Sequence, residues 1–329
     1  MYFIDNNGIT DPRVNLAMEE YALRNVDIDH DYLLFYINEP SIIIGRHQNT
    51  SEEINAPYVE EQGIHIVRRI SGGGAVYHDL GNLNFSFITR FEPSHFNNYQ
   101  KFTGPMVEAL NTLNVPAELT GRNDVVVKGR KISGNAQFTS KDRMFSHGTL
   151  LFDANLDDVT KALKMKTGKF ESKGIKSIRS RVANISEFLD QPLGIEQFRK
   201  ILLDHVFAKS EEIPMHSFSA EDWDNIRKLA HEKYSNWHWN FGESPEFNYQ
   251  NSRRFPFGEI DVRVFVNKGI VENIKFYGDF FSRREIEELE NLFINQPYSR
   301  SHFSGLLSRI QLTEFFGDIS DEDFLDLFF

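Results

Sequence analysis

Apolar positions along the chain switch repeatedly between a helical and a strand rhythm. Asp11-Pro12 opens the first helical stretch, since aspartate caps a helix N-terminus and proline fits its first position. Leu16, Tyr21 and Leu23 follow at helical spacing, which predicts a helix of about four turns. Residues 31–38 and 41–45 are β-rich runs split by Glu39-Pro40. Residues 64–70 and 83–89 predict strands around a glycine-rich loop, and 102–113 predicts a helix. Residues 125–152 read as strand broken by polar turns, and helical patterns dominate 185–234. This order predicts a mixed α+β domain with a largely antiparallel sheet and flanking helices.

Around residues 241–252 the chain becomes rich in Gly, Ser, Pro, Asn and Gln, which reads as a linker. Two further strands, 260–267 and 269–277, meet at Asn267-Lys268-Gly269. Ser282 and Glu285 predict a capping box for a helix whose apolar face is Ile286, Leu289 and Phe293. Helical segments continue from 301, and the Phe324-Leu325 to Phe328-Phe329 end is expected to pack onto this part. The expected division is a domain over 1–242, a linker over 243–252 and a small α/β domain over 253–329.

Composition narrows the function classes. The chain has 329 residues, 40% of them hydrophobic and 26% charged, the make-up of a globular protein long enough for two domains. No apolar run approaches the ~20 residues that cross a bilayer, and no signal peptide is visible at the N-terminus. A net charge of −12 argues against wholesale nucleic-acid binding, which needs a basic face. Cysteine is absent, so disulfides, thiolate metal sites and cysteine nucleophiles are excluded, and a cytoplasmic location is expected. One stretch runs against the bulk charge: residues 161–181 hold eight Lys or Arg against the single acid Glu171. By charge alone this is a solvated loop, or a loop that meets an anion or an acidic partner.

The candidate chemistry begins at Arg68-Arg69-Ile70-Ser71-Gly72-Gly73-Gly74-Ala75-Val76-Tyr77-His78-Asp79. Glycines let a ligand approach the main chain, and successive free N–H groups can cradle an anion. There is no Gly-Lys-Ser/Thr ending and no dinucleotide spacing, so neither a Walker loop nor a Rossmann fingerprint is present. A second polar cluster, Gly121-Arg122-Asn123-Asp124, precedes Val125-Val126-Val127 and Lys128-Gly129-Arg130-Lys131-Ile132-Ser133-Gly134-Asn135-Ala136. Asp124 can hold Mg²⁺ or orient an amine, and Lys131 can neutralise charge on a phosphoryl or acyl oxygen. Taken alone, the cluster favours a hairpin with solvent-facing charges. His147 starts an apolar strand and suits a pocket wall or a structural role equally.

In this order the elements resemble the lipoate–protein ligase A family. They are Arg-Arg-x-Ser-Gly-Gly-Gly-Ala-Val-x-His-Asp, Gly-Arg-Asn-Asp, Lys-Ile-Ser-Gly-x-Ala, His-Gly-Thr-Leu-Leu and Lys-Gly-Ile-x-Ser-x-Arg-Ser-Arg-Val. Trp237-x-Trp239-Asn240-Phe241-Gly242 stands where that family closes its large domain, so the resemblance spans nearly the whole chain. It implies a biotin/lipoyl ligase-like catalytic fold with a small accessory domain that can change orientation. It implies that lipoic acid and Mg-ATP give lipoyl-adenylate and pyrophosphate. The lipoyl group then passes to a lysine of lipoyl domains, as in 2-oxoacid dehydrogenase E2 subunits, or of the glycine cleavage H protein. A monomer is also implied, with no nucleic acid or membrane as partner.

By the same resemblance Lys131 is the catalytic lysine, on the carboxyl oxygen and the α-phosphate. Arg69, Ser71, Gly73 and Gly74 form the loop over lipoate and adenylate, with His78 and Asn82 near the nucleotide. Asn123, Asp124, Ser133, Gly134 and His147 complete the pocket, and Asp124 is the candidate Mg²⁺ ligand. Lys173, Gly174, Arg179 and Arg181 fall on the adenylate-binding loop, where further lysines can attract acidic acceptor domains. Phe35, Ile44 and Val76 are candidates for the dithiolane end, or plain core. Acyl transferases of this fold pass the acyl group through a cysteine, which this chain lacks. The readings left beside a general ligase are a non-catalytic lipoate or lipoyl-adenylate carrier and a paralogue restricted to H protein.

Overall fold

The alternating and continuous apolar runs find their partners in three sheets. The computed structural model describes residues 1–121, 123–164, 181–208, 210, 212–241 and 247–329. Its strands are β1 (Tyr2–Asp5), β2 (Tyr32–Ile37), β3 (Ser41–Ile44), β4 (His65–Arg68), β5 (Val76–His78), β6 (Asn82–Arg90) and β7 (Ala117–Thr120). They continue with β8 (Asp124–Val127), β9 (Arg130–Ser140), β10 (Arg143–Leu151), β11 (Met215–His216), β12 (Tyr249–Phe255), β13 (Gly258–Asn267) and β14 (Ile270–Gly278). The large sheet runs β11-β1-β2-β6-β10-β9-β8-β7. It is antiparallel from β2 through β7 and parallel only along β11-β1-β2. A small sheet, β4-β3-β5, holds the glycine loop between its outer strands, and β12-β13-β14 forms the C-terminal sheet.

β2 shows why its sequence is apolar at every position. Leu33 and Phe35 enter one core, with the helices Tyr99–Thr112 and Ile195–Val206 supplying Phe102, Met106, Phe198 and Leu202. Tyr32, Leu34 and Tyr36 enter the core on the opposite face, where the helices Pro12–Asn25 and Ala220–Leu229 supply Leu16, Leu23 and Ile226. A strand covered on both faces needs no polar alternation. Asp11 caps the first helix as its sequence predicts, accepting from the Arg13 N–H at 2.9 Å.

In the C-terminal part, Lys268 and Gly269 take positive φ of 47° and 78°, which turns β13 into β14 as a tight hairpin. Phe324, Leu325, Leu327 and Phe328 are buried there against Phe276, Phe293 and Phe303. Two readings change. Residues 249–252, read as linker from their composition, lie in β12, an edge strand whose mostly exposed positions explain the polar sequence. The Ser282–Glu285 capping box does not form: the helix begins at Ile286 after Glu285, and the Ser282 hydroxyl donates to the Arg284 carbonyl instead.

The segment around Asn240 is fastened to the small sheet by Arg68, at the end of β4. This guanidinium is buried and donates to the carbonyls of Gly45 (2.9 Å), Arg46 (3.1 Å), Gln48 (2.6 Å), Trp239 (2.8 Å) and Asn240 (3.2 Å). It also donates to the Thr50 hydroxyl at 2.7 Å. The Arg68 backbone N–H and carbonyl are taken by the Asn240 side chain and the Trp239 indole N–H. Burial lowers the guanidinium to about 10, so it is still cationic at neutral pH. Arg68→Met strands these buried acceptors and is expected to lower unfolding free energy by about 3 kcal/mol or more. Arg68→Lys is expected to recover only part of the loss, because a point charge cannot reproduce the planar fork. Urea titrations of the three proteins check both.

Candidate active site

The glycine loop owes its shape to the arginine beside Arg68. Arg69 is buried, and its guanidinium donates to the carbonyls of Ile43 (3.1 Å), Gly72 (2.8 Å) and Gly74 (2.8 Å) and to Ser71 Oγ (3.0 Å). Burial lowers it to about 10, again leaving a cation. In a trans peptide C=O and N–H point oppositely. With the Gly72 and Gly74 carbonyls turned to Arg69, the N–H groups of Gly73 and Ala75 point away from it. Gly73 takes φ +93°, and its carbonyl passes so close to Gly45 that a Cβ on Gly45 would lie 1.8 Å from it.

The loop forms one wall of a cleft with about 630 Å³ of empty space, open mouth included. β9 and β10 supply Lys131, Gly134, His147 and Thr149, while Ile43, Val76 and His78 come from the small sheet. Leu16 and Tyr36 add apolar surface, and Phe281 of the C-terminal part reaches in beside Gly73.

A β-bulge aims Lys131. Between β8 and β9, Val125 pairs with Ser133 but Val126 pairs with Lys131, so Ile132 is an extra residue. Lys131 and Gly134, three apart, therefore share the cleft face, while Ile132 and Ser133 are both fully buried. A Cβ on Gly134 would stand 3.0 Å from Lys131 Nζ. The ammonium pairs with Asp124 Oδ1 at 2.8 Å, both side chains a little over one-third exposed. Such a pair is worth about 0–1 kcal/mol and is readily exchanged for another anion. The Lys131 backbone N–H donates to the Arg181 carbonyl at 2.7 Å.

His147 and His78 differ in their surroundings. His147 Nε2 lies 2.8 Å from Ser71 Oγ, and its Nδ1 lies 3.0 Å from Glu19 Oε1 on the first helix. A buried carboxylate thus orients the ring, a role for Glu19 that sequence reasoning missed. His78 Nδ1 is held by Asn38 at 3.0 Å. Burial, with Arg69 and His147 nearby, pushes His78 down to about 3, so it is neutral at physiological pH.

Of the other expected residues, Arg69, Gly73, Gly74 and Asn123 line the cleft. Ser71, Asn82 and Ser133 stand behind its wall: Asn82 donates to Asn84 Oδ1 at 3.0 Å, and Ser133 Oγ accepts from Asn135 at 3.2 Å. Val76 faces the cleft, but Phe35 and Ile44 sit in cores, and the strand neighbour Tyr36 takes the place expected for Phe35. Among the described residues no three His, Asp or Glu are grouped to hold a metal ion. Lys173, Gly174 and Arg179 lie outside the described residues.

Residues 11–207 match the family model of the lipoyl protein ligase A/B catalytic domain, and 244–328 match that of the bacterial lipoate protein ligase C-terminus. The lipoate-protein ligase LplJ of Bacillus subtilis strain 168 is 56% identical over 331 residues, covering all of both chains. The chain belongs to the lipoate–protein ligase family. Among solved structures, P. falciparum LipL1 in complex with lipoate shares the fold at TM-score 0.81 and 24% identity, over 99% of this chain and 97% of that one. Lipoate-protein ligase A bound with ATP aligns at TM-score 0.61 and 28% identity, over 74% and 97%. The catalytic-domain match includes every cleft residue except Phe281.

Within the cleft, Gly73 resists a side chain both by its backbone conformation and by its neighbours. A Cβ there adds strain at positive φ and meets Arg69 Nη2 at 3.0 Å and the Phe281 ring at 3.2 Å. Gly73→Ala is expected to cost about 1–3 kcal/mol of stability, read as a lowered urea midpoint.

Proposed function

We propose that this chain joins lipoate to ATP in the cleft and then to a lysine of a lipoyl-domain protein. One observation carries the reading: the glycine loop, the weakly held Lys131 ammonium and the neutral His78 converge on a single cleft, with two buried guanidiniums behind it. The first step must bring together two anions, a carboxylate and a triphosphate, and these groups supply the positive charge and fixed donors it needs.

A lipoate carboxylate oxygen attacks the α-phosphorus of ATP. The bond from that phosphorus to the oxygen bridging to the β-phosphate breaks, and pyrophosphate leaves. Lys131 exchanges Asp124 for the carboxyl and α-phosphate oxygens, while Gly73 and Gly74 bring the main chain against the adenylate. Mg²⁺, if bound, would supply further positive charge against the phosphates, coordinated mostly by phosphate oxygens and water. Asp124, released from Lys131, would then help to hold that ion or orient the acceptor amine. The deprotonated acceptor lysine attacks the acyl carbon, the bond to the adenylate oxygen breaks, AMP leaves, and the nitrogen loses a proton to water as the amide forms.

In this reading Asn123, Gly134 and His147 complete the pocket wall, Ser71, Asn82 and Ser133 support it from behind, and Arg69 braces the loop. Lys173, Gly174, Arg179 and Arg181 belong to the adenylate-binding loop. The acceptors are lipoyl domains of 2-oxoacid dehydrogenase E2 subunits and the glycine cleavage H protein, met by a cytoplasmic monomer. The match of 244–328 to a C-terminal family model supports treating 253–329 as an accessory domain.

Lipoate-dependent ATP–pyrophosphate exchange with Mg²⁺ tests the reading. Wild type is expected to exchange, and Lys131→Ala to lose a factor of ~10²–10³ in rate. Absence of exchange in folded wild type would overturn it.

A further inference from the structure

A chain of three buried asparagines ends on His78, and its hydrogen bonds can be assigned one by one from fixed backbone groups. Asn6 Nδ2 donates to the Ile9 carbonyl at 2.7 Å and its Oδ1 accepts from the Gly8 N–H at 3.3 Å, which settles the Asn6 amide. Asn6 Nδ2 also meets Asn15 Oδ1 at 3.1 Å. Asn15 Nδ2 meets the carbonyls of Ile9 (2.9 Å) and Ile37 (3.2 Å), which only accept, so this side of Asn15 is its amino group. The same Nδ2 lies 2.9 Å from Asn38; an amino group there would face another amino group, so Asn38 presents its oxygen and shares the two Asn15 protons with the carbonyls. Asn38 is left with its amino group facing His78 Nδ1 at 3.0 Å, and a nitrogen that receives a proton carries none of its own. A neutral imidazole without a proton on Nδ1 has it on Nε2.

His78 Nε2 is buried and has no hydrogen-bond partner among the described residues. His78 is among the residues lining the cleft, and with Nδ1 engaged by Asn38, Nε2 is its one ring nitrogen without a partner. Unpaired buried donors are rare, because each costs about 1–3 kcal/mol. The titratable and charged groups that act on the ring are Arg69 and His147, and both oppose a second proton on it.

We infer that Asn15 and Asn38 are positioning residues that fix His78 as the Nε2–H tautomer, and that this N–H donates to an oxygen of the acyl or phosphate group bound in the cleft. The inference rests on the ligase reading for its ligand but not for its tautomer. A fixed neutral donor has a clear use there. It binds an anion's oxygen without offering a proton that the acyl-adenylate, or the incoming amine, could take.

Two measurements test it separately. The first is ¹⁵N NMR of the imidazoles of the full chain, with His78 assigned by its loss in His78→Gln. The expected spectrum shows a protonated Nε2 and a bare Nδ1 from pH 8 down to pH 5. In Asn38→Leu, an Nδ1–H population is expected to appear. An Nδ1–H or doubly protonated wild-type ring at pH 7 would overturn the tautomer assignment, whether or not the protein exchanges pyrophosphate.

The second measurement is substrate dependence of the exchange. A Gln amide can place its amino group where Nε2–H stands, and Phe cannot. His78→Gln is expected to keep KM within about threefold of wild type, and His78→Phe to raise it about tenfold to 10²-fold, the worth of a hydrogen bond to a charged group. The rise falls on lipoate if the acceptor is the carboxylate, and on ATP if it is a phosphate. Equal KM values for Gln and Phe variants, both folded by circular dichroism, would overturn the donor role. A protein with the expected tautomer and no exchange in any form would sink the ligase reading and leave the relay standing.

Discussion

Arg68 and Arg69 are consecutive and buried, and among the described residues neither forms an ion pair with a carboxylate. Two adjacent cations removed from water repel each other and lose their hydration, a cost that only fixed dipoles can offset. Here the dipoles are backbone carbonyls. Arg68 gathers those of Gly45, Arg46, Gln48, Trp239 and Asn240, and Arg69 gathers those of Ile43, Gly72 and Gly74. Because each guanidinium needs several carbonyls at once, the loops that donate them cannot move independently. The glycine loop is therefore shaped from behind, before any ligand arrives. The charge is retained as well: carbonyl dipoles stabilise the cation without cancelling its charge, so it still attracts an anion in the cleft.

Much of this was legible in the chain, and the losses have specific causes. The glycine loop, Lys131 and His147 are visible because each sits in a short motif whose meaning is local. The helix Pro12–Asn25 is visible from its cap and its apolar spacing, but the roles of Glu19 and Asn15 within it are not. Glu19 meets a histidine 128 residues away, and Asn15 reaches Asn38 across 23. In sequence both are ordinary polar positions of an amphipathic helix. Lys131 was identified but its aim was not, because a bulge is an irregularity of pairing that neither β8 nor β9 announces alone. Tyr36 replaced Phe35 at the cleft because a fully covered strand has no polar alternation to show which face a residue takes. β12 was read as linker for the converse reason: an edge strand exposed on most of its length has a loop-like composition.

The C-terminal part enters the site through the same glycines. A Cβ on Gly72 would lie 2.3 Å from the Phe280 carbonyl, so the two backbones touch where no side chain fits. The contact is fastened on either side. The His47 ring stacks on Phe280 at 4.7 Å, the His47 carbonyl accepts from the Gly278 N–H at 2.9 Å, and Arg263 pairs with Glu52 at 2.7 Å. The glycines that let a ligand approach from one side thus admit a second segment of the protein from the other. An insertion that thickened the loop would disturb both.

The two faces of the cleft are built to opposite specifications. On the loop side every charged group is buried and bonded to backbone, so a change of partner would leave buried carbonyls unpaired. On the β9 side Lys131 and Asp124 are partly exposed and hold each other by a single ion pair. Moving an arginine would cost several unpaired acceptors at ~1–3 kcal/mol each, whereas parting the lysine from its carboxylate costs about 0–1 kcal/mol. The reaction needs both properties. Orientation of two anions requires donors that do not reorganise when charge develops. Release of pyrophosphate and later of AMP requires a cation that can let go. A cleft lined only by arginines of the Arg69 kind would hold its anions without a cheap way to part from them. One lined only by exposed lysines would have to order its donors anew in each turnover. Placing the fixed charges behind a glycine loop and the exchangeable one on a bulge satisfies both demands within one cleft.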